Sequence, residues 1–223
     1  MAIVLVHGAW GGSWCWERVV PLLEARGLDV VTLDLPGVGA DAGYAGGLPE
    51  DAAAVRAVLD RSTGPHVLCG HSYGGMVITA AAAGRDDVVR LVYLCAFMPD
   101  TGESLFELTG GKPAPWIQLL DDGTTLPDPV HSMTVGYADC DRETRAAAVA
   151  RLRPQVPAPF TGVIEDAAWR RIPSTYVVCS LDESIPPSLQ RDVFAPRATE
   201  VLELESSHSP FFSQPNAVAA LFA

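Results

Sequence analysis

The chain has 223 residues, of which 48% are hydrophobic and 19% charged, enough apolar material for the core of one globular domain, alone or with a large insertion. Its formal net charge is −12 at pH 7, and its Lys and Arg residues form no block, which argues against nucleic acid and anionic membranes as partners. No apolar run approaches the roughly 20 residues that cross a bilayer.

The first segment of the chain, MAIVLVHGAW, has neither a basic region nor a small-residue cleavage site. We therefore interpret Ile3–Val6 as the first core strand and expect a cytoplasmic protein. The cysteines are odd in number, and their spacing is not that of a metal site: Cys15, Cys69, Cys95, Cys140 and Cys179. Three of them lie in apolar runs, as buried thiols commonly do, so we expect reduced cysteines and no metal.

Short apolar runs without two-residue alternation recur along the chain, which is typical of strands covered on both faces of a parallel sheet. These runs are Ile3–Val6, Val30–Leu33, Val67–Cys69, Leu91–Leu94, Tyr176–Cys179 and Val201–Leu204. Segments with helical spacing alternate with them: Ser13–Arg26, Glu50–Arg61, Met76–Ala83 and Asn216–Phe222. The alternation predicts an α/β fold in which right-handed crossovers build a mostly parallel sheet with helices on both faces.

Residues 101–172 interrupt this alternation with many prolines, no clear core strand and one helical pattern at Arg142–Arg153. Long irregular stretches inside compact α/β domains are usually functional. We predict a cap, or lid, at 101–172 over an α/β core formed by 1–100 and 173–223, with Phe106 and Trp116 lining a substrate pocket. The alternatives are a helical subdomain that only packs on the core and, for Trp116, a place in the core of the cap.

The segment Gly70–Gly74, with Ser72 at its centre, joins an apolar run directly to a small-residue helix. A G-x-S-x-G sequence between a strand and a helix makes a sharp turn that lifts the serine Oγ above the carboxyl edge of the sheet. The helix N-terminus then faces the developing negative charge. The context predicts that Ser72 is a nucleophile.

A serine hydroxyl needs a base, and in this architecture the order along the chain is serine, acid, histidine. His208 follows the last predicted strand and is our candidate. The other histidines have different predicted roles: His7 structural, His66 at the wrong end of the sheet, His71 inside the turn and pointing away from the serine, and His131 in the insertion, solvated or lining the pocket.

The orienting carboxylate should follow the preceding strand, where Asp182 lies three residues beyond Cys179. Its neighbour Glu183 is expected to face solvent. Asp100, after an earlier strand, is the alternative because some relatives of this architecture place the acid there.

Oxyanion donors in this architecture are backbone N–H groups, one after the nucleophile and one from the loop after the first strand. The first is Tyr73, and the second is Ala9 in the VLVHGAWGG loop. The glycines of that loop could also be ordinary turn residues.

The chain resembles the α/β-hydrolase superfamily in the motifs VLVHGAW, DLPGVG, GHSYGGMV, YLCAFMPD and VVCSLDESIP and in its late histidine. Within it, the chain is similar to the branch of plant methylesterases, salicylate-binding esterases, hydroxynitrile lyases and small bacterial esterases. The resemblance covers the chain outside Thr101–Ile172. It implies a sheet of about six strands and a triad of Ser72, Asp182 and His208.

Two departures from the branch bear on the reaction. Hydroxynitrile lyases of this kind have threonine where this chain has Gly8, and lysine where it has Ser209. That lysine helps to accommodate cyanide, so lyase activity is disfavoured. A serine nucleophile in place of aspartate also disfavours dehalogenase and epoxide hydrolase chemistry.

The resulting expectation is a cofactor-free carboxylic-ester hydrolase for small apolar or aromatic esters, acting as a monomer or homodimer. The alternatives are thioester, lactone or amide hydrolysis, a retro-aldol or cyclisation reaction with the same triad, and a small-molecule receptor with slow turnover.

Overall fold

Six parallel strands form the main sheet, in the order β2-β1-β3-β4-β7-β8. The strands are β1 (Ala2–Val6), β2 (Asp29–Thr32), β3 (His66–His71), β4 (Val88–Leu94), β7 (Ser174–Cys179) and β8 (Glu200–Leu204). The computed structural model describes residues 1–41, 43–62 and 64–223. Every apolar run that was predicted as a strand overlaps a strand of this sheet, although β2 ends at Thr32, one residue before the predicted end. The predicted fold class is confirmed.

The α-helices lie on both faces of the sheet and over its carboxyl edge. They are α1 (Val20–Glu24), α2 (Leu48–Leu59), α3 (Gly74–Ala82), α4 (Leu105–Leu108), α5 (Pro129–His131), α6 (Arg142–Val149), α7 (Ala158–Thr161), α8 (Pro187–Leu189), α9 (Pro210–Ser213) and α10 (Pro215–Ala220). Short 3₁₀ segments occupy Ser13–Trp16, Ala168–Arg170 and Ala195–Arg197, and π-helical turns occupy Ser132–Gly136 and Gln190–Phe194. Within the described ranges, no helix combines the length and the apolar character needed to span a bilayer.

The helix predicted at Ser13–Arg26 is the clearest difference between sequence and structure. A 3₁₀ turn at Ser13–Trp16 is followed by α1, which begins only at Val20. Proline lacks the backbone N–H that a helix interior requires, so Pro21 is accommodated in a first turn. A continuous helix through Pro21 was therefore a wrong prediction.

The segment 101–172 adds no strand to the main sheet. It contains a small antiparallel hairpin that the sequence did not predict, β5 (Ile117–Leu119) with β6 (Thr125–Pro127). Its longest helix, α6, ends at Val149, four residues before the predicted end. We call this segment the insertion, and its boundaries as a separate unit remain a prediction.

The insertion shares the two hydrophobic layers that cover the sheet. Phe160 and Ile164 pack in the layer that contains α2 and α3, and Tyr137 and Cys140 pack in the opposite layer with α10. The insertion is therefore tied to both faces of the core by apolar packing.

Candidate active site

Ser72 lies in the turn between β3 and α3 with a backbone φ of +53°. This left-handed conformation is uncommon for a residue with a side chain and persists only where the surroundings enforce it. Close packing does so here, because a Cβ at Gly74 would lie 2.7 Å from the Val6 carbonyl oxygen. One at Gly70 would lie 2.6 Å from the Gly74 carbonyl carbon. The glycines on either side of Ser72 thus permit the strained turn.

Asp182 and His208 meet after β7 and β8. His208 Nδ1 lies 2.7 Å from Asp182 Oδ2, and the Asp182 side chain is 0% exposed. Asp182 also accepts hydrogen bonds from the amides of Ser184 (2.8 Å) and Ile185 (2.9 Å) and from Gln190 Nε2 (3.0 Å). Since a carboxylate only accepts, His208 Nδ1 carries the proton, which leaves Nε2 as the basic atom of the ring.

The two other carboxylates considered from the sequence lie elsewhere. Glu183 is exposed, as expected. Asp100 forms an ion pair with Arg170 and has no contact with His208 among the described hydrogen bonds. The structure therefore brings Asp182, and not Asp100, to the histidine.

A cavity of about 630 Å³ opens above Ser72 and His208. Its walls come from the loop after β1 and from the insertion, and they include both predicted pocket residues, Phe106 and Trp116. Trp10 contacts Trp116 edge to face at a centroid distance of 5.8 Å and packs on Phe160 at 5.5 Å. The site is thus a largely apolar chamber with Ser72 and His208 in its wall, and the insertion adds a few polar residues, among them Lys112 and His131.

The loop after β1, residues 8–12, packs directly against the serine turn. A Cβ at Gly8 would lie 2.9 Å from Ser72 Cβ, so the loop could not approach so closely with a larger residue. His7 holds the loop, since its Nδ1 donates to the Gly8 carbonyl (2.7 Å) and its Nε2 accepts from the Leu35 amide (3.0 Å). Burial lowers the pKa of His7 to about 4, so the ring is neutral at pH 7.

The two predicted oxyanion amides belong to this arrangement. Within residues 1–41, 43–62 and 64–223, the N–H groups of Ala9 and Tyr73 have no protein acceptor. The Tyr73 hydroxyl donates to Asp51 Oδ2 (2.7 Å), while Asp51 Oδ1 accepts from the Gly37 amide (3.1 Å). Burial raises the pKa of Asp51. The sequence analysis missed this anchor, which joins α2 to the start of α3.

The remaining histidines surround the site or lie away from it. His71 Nε2 donates to the His208 carbonyl (2.7 Å), and burial lowers the pKa of His71 well below its ordinary value. His66 begins β3 at the opposite edge of the sheet, as predicted. His131 is partly buried, lines the cavity and stacks on Trp116 at 4.9 Å, so of its two predicted placements the structure has the lining one.

One group of potential metal ligands includes His208. The ligand atoms of His71, Cys95 and His208 lie within 4.8 Å of one another. Burial raises the pKa of the Cys95 thiol well above its ordinary value, which disfavours the thiolate that binds metals. Nothing else in the described part of the chain points to a metal.

Asp139 of the insertion binds the loop that carries His208. Its Oδ2 accepts from the Ser207 amide (3.0 Å) and the Ser206 hydroxyl (2.8 Å), and its Oδ1 accepts from the Ser207 hydroxyl. Partial burial alone would raise the pKa of Asp139, but these hydrogen bonds outweigh it and hold the pKa below its ordinary value. The contact spans 68 residues of sequence, and the sequence analysis did not find it.

The chain is similar to known proteins over nearly its whole length. Residues 3–221 match the model of the alpha/beta hydrolase family. A pyrethroid hydrolase of Sphingobium wenxiniae is 32% identical over 99% of this chain and 86% of its own length. Salicylic acid-binding protein 2 of Nicotiana tabacum is 30% identical over 97% of this chain and 94% of its own. The crystal structure of a pyrethroid hydrolase from Sphingobium faniae superposes with a TM-score of 0.86 at 28% identity, covering 100% of this chain and 95% of that one.

Proposed function

The chain belongs to the alpha/beta hydrolase family and is a serine hydrolase of the esterase type, and from this premise we propose that it cleaves small apolar or aromatic carboxylic esters with Ser72, His208 and Asp182. The predicted likeness to the branch with salicylate-binding esterases is confirmed by the relatives. The triad and the substrate class are the proposal.

The reaction follows the acyl-enzyme route. Ser72 Oγ attacks the ester carbonyl while His208 Nε2 takes its proton, and the amides of Ala9 and Tyr73 donate to the oxyanion. The imidazolium then returns the proton to the leaving alkoxide. Water, activated by His208, cleaves the acyl-enzyme and restores Ser72. Asp182 keeps the imidazole in the required tautomer and stabilises its cation.

The observation that carries the proposal is the His208–Asp182 contact at the floor of the same cavity that Ser72 lines. Four donors, His208 Nδ1 among them, bind a fully buried carboxylate. Such a carboxylate holds the imidazole in one orientation, and His208 lines the same cavity as Ser72. A small-molecule receptor would not require this arrangement.

The cavity supports an apolar or aromatic ester. Its volume, about 630 Å³, is within the usual range for small-molecule sites. Its upper walls carry the aromatic rings of Trp10, Phe106, Trp116 and Phe160, which favour flat apolar groups. Ser209 stands where a lyase of this branch has lysine, and this disfavours cyanohydrin chemistry.

The test is hydrolysis of p-nitrophenyl acetate and butyrate, followed for a pre-steady-state burst. Turnover is expected in the wild type and in Ser62→Ala, an exposed serine that does not line the cavity, and not in Ser72→Ala. Asp182→Asn should lower kcat about 10³- to 10⁴-fold, because the amide stabilises the wrong imidazole tautomer, while Glu183→Gln should not. An inactive wild type would contradict the proposal and favour the receptor or non-hydrolytic alternatives.

A further inference from the structure

The residue after the predicted oxyanion amide is held in a strained conformation by the insertion. Trp10 has a backbone φ of +58°, a region that a bulky side chain avoids. Such a conformation costs on the order of RT or more and persists only where surrounding contacts over-determine it. The contacts responsible should therefore be identifiable around Trp10.

Trp10 makes three hydrogen bonds with residues of the insertion. Its amide donates to Gln155 Oε1 (2.8 Å), its carbonyl accepts from the Arg153 amide (2.9 Å), and its indole Nε1 donates to Thr125 Oγ1 (3.1 Å). The hydrogen bonds to the Trp10 amide and to the Trp10 carbonyl fix the peptide planes on either side of the residue. Of these two partners, only the one that binds the amide is a side chain. That side chain belongs to Gln155.

The Gln155 side chain is buried, and within the described part of the chain it forms hydrogen bonds only through its amide oxygen. The residue is 0% exposed. Its backbone is fixed by reciprocal hydrogen bonds with Thr125, N to O at 2.9 Å and 2.7 Å, so the side chain starts from a backbone held by an isolated antiparallel β-bridge. Its Nε2 has no hydrogen-bond partner in the described part of the chain. Burying an amide nitrogen without a hydrogen-bond partner costs free energy of folding. The hydrogen bond that Oε1 accepts from the Trp10 amide is the contact that this buried side chain makes in return.

We infer that Gln155 is a positioning residue for the oxyanion loop, an inference that rests on the proposed function. Each of three successive peptide planes in this loop has a hydrogen-bond partner. The Gly8 carbonyl accepts from His7 Nδ1 (2.7 Å) and from the Gly11 amide (3.4 Å). The Trp10 amide donates to Gln155 Oε1, and the Trp10 carbonyl accepts from the Arg153 amide. The Ala9 N–H points opposite to the Gly8 carbonyl within the first of these planes. Without Gln155, Trp10 relaxes to negative φ, the adjoining planes rotate, and the Ala9 N–H turns from the oxyanion position.

The discriminating variant is Gln155→Met, which keeps the length of the side chain and removes the acceptor. We expect kcat for p-nitrophenyl butyrate to fall about 10- to 100-fold, with KM changed less than about threefold, because the loss falls on charge that develops in the transition state. Gln155→Glu keeps an acceptor oxygen, ionised or protonated, and should restore most of kcat. Gln118→Met is the matched control, an exposed glutamine of the insertion that does not line the cavity.

A transition-state analogue separates positioning from mere stability. An aryl trifluoromethyl ketone forms a hemiketal in which Ser72 Oγ bonds to carbon, the serine proton passes to His208 and the ketone oxygen becomes the oxyanion. The matching trifluoromethyl carbinol fills the cavity without reacting. In Gln155→Met the inhibition constant of the ketone, divided by that of the carbinol, should rise by at least about tenfold, because only the ketone forms an oxyanion.

An unchanged ratio would overturn the inference even if kcat fell, since the loss would then be structural. If Gln155→Met does not fold, Gln155→Asn, which withdraws the oxygen by one methylene, takes its place in the same comparison. Failure of the proposed function looks different, because the wild type itself would then show neither turnover nor slow, tight binding of the ketone.

Discussion

His7 is a buried histidine whose neutral form hydrogen-bonds to the loop after β1. One ring nitrogen donates to the Gly8 carbonyl and the other accepts from the Leu35 amide, so a second ring proton would remove the acceptor and place a charge in the core. Burial is the main cause of its low pKa, and Asp34 and Arg153 act on it with opposite signs. The protonation state of this residue is therefore linked to folding.

This linkage predicts a loss of stability in mild acid. His7 has a pKa of about 4 in the folded chain and about 6.5 unfolded. Above pH 6.5 both states are neutral; between pH 6.5 and 4 only the unfolded state takes up a proton, so the free energy of unfolding falls as the pH falls. The full contribution is about 3 kcal/mol.

Urea unfolding of the wild type and of His7→Asn at half-unit steps from pH 7.5 to 5 measures this effect. The variant is expected to be less stable at every pH. The comparison therefore uses the slope of the free energy of unfolding against pH and not its absolute value. The wild-type slope should be steeper over this window. Parallel slopes would contradict the prediction, and a residual slope in the variant is expected from His71, whose pKa is also lowered by burial.

At the scale of elements, the insertion as well as the sheet holds the loops after β1 and after β8, which carry proposed catalytic groups and which we call the catalytic loops. Asp139, between the π-helical turn and α6, accepts hydrogen bonds from Ser206 and Ser207, which directly precede His208. The loop after β8 has no other acidic partner among the described hydrogen bonds that reaches these serines. Its position should therefore depend on Asp139.

We predict that Asp139→Asn lowers kcat about tenfold with a smaller change in KM. Asparagine offers one acceptor oxygen in place of two, so at least one of the bonds to Ser206 and Ser207 is lost and His208 samples more orientations. Asp141→Asn is the matched control, because Asp141 caps α6 through the Thr144 amide and does not touch the histidine loop. Steady-state kinetics with p-nitrophenyl butyrate measure kcat and KM for both variants. Equal losses of kcat in Asp139→Asn and Asp141→Asn would refute the prediction.

The same scale explains what the sequence could predict. Each of the six strands contains a short apolar run, so all six were found, although only the inner strands are buried and the edge strands β2 and β8 are half-buried or exposed. The turn around Ser72 was found because its glycines and its neighbours in sequence carry the signal. Gln155 and Asp139 were missed because their partners are 145 and 68 residues away. The three-residue strands β5 and β6 were missed because so short a hairpin has no periodicity to detect.

At the scale of the whole molecule, the insertion and the sheet share their core. Tyr137, Cys140 and Ala148 belong to one hydrophobic layer, and Phe160 and Ile164 belong to the other. The insertion also makes polar contacts with both catalytic loops, at Trp10 and at Ser207. A lid that opened as a rigid body would have to break both kinds of contact together.

The cysteines provide a way to measure whether the insertion opens alone. All five are unpaired and buried. Burial raises the pKa of Cys140, in the insertion, to about 11 and that of Cys69, in β3, to about 12, so both thiols are unreactive while folded. Cys140 directly follows Asp139, which binds Ser207, so we expect its exposure to break that contact, whereas Cys69 lies in β3 and its exposure requires opening of the sheet.

We predict that Cys140 and Cys69 are alkylated by N-ethylmaleimide at rates within about threefold of each other in urea below the unfolding midpoint, because one cooperative opening exposes both. Mass spectrometry of each cysteine-containing peptide gives the two rates. Asp139→Asn should separate them by accelerating Cys140 alone, and the Asp141→Asn control should not. Cys140 reacting tenfold or more ahead of Cys69 in the wild type would instead mean that the insertion opens as a lid while the sheet stays folded, and substrate entry would then be gated by that opening.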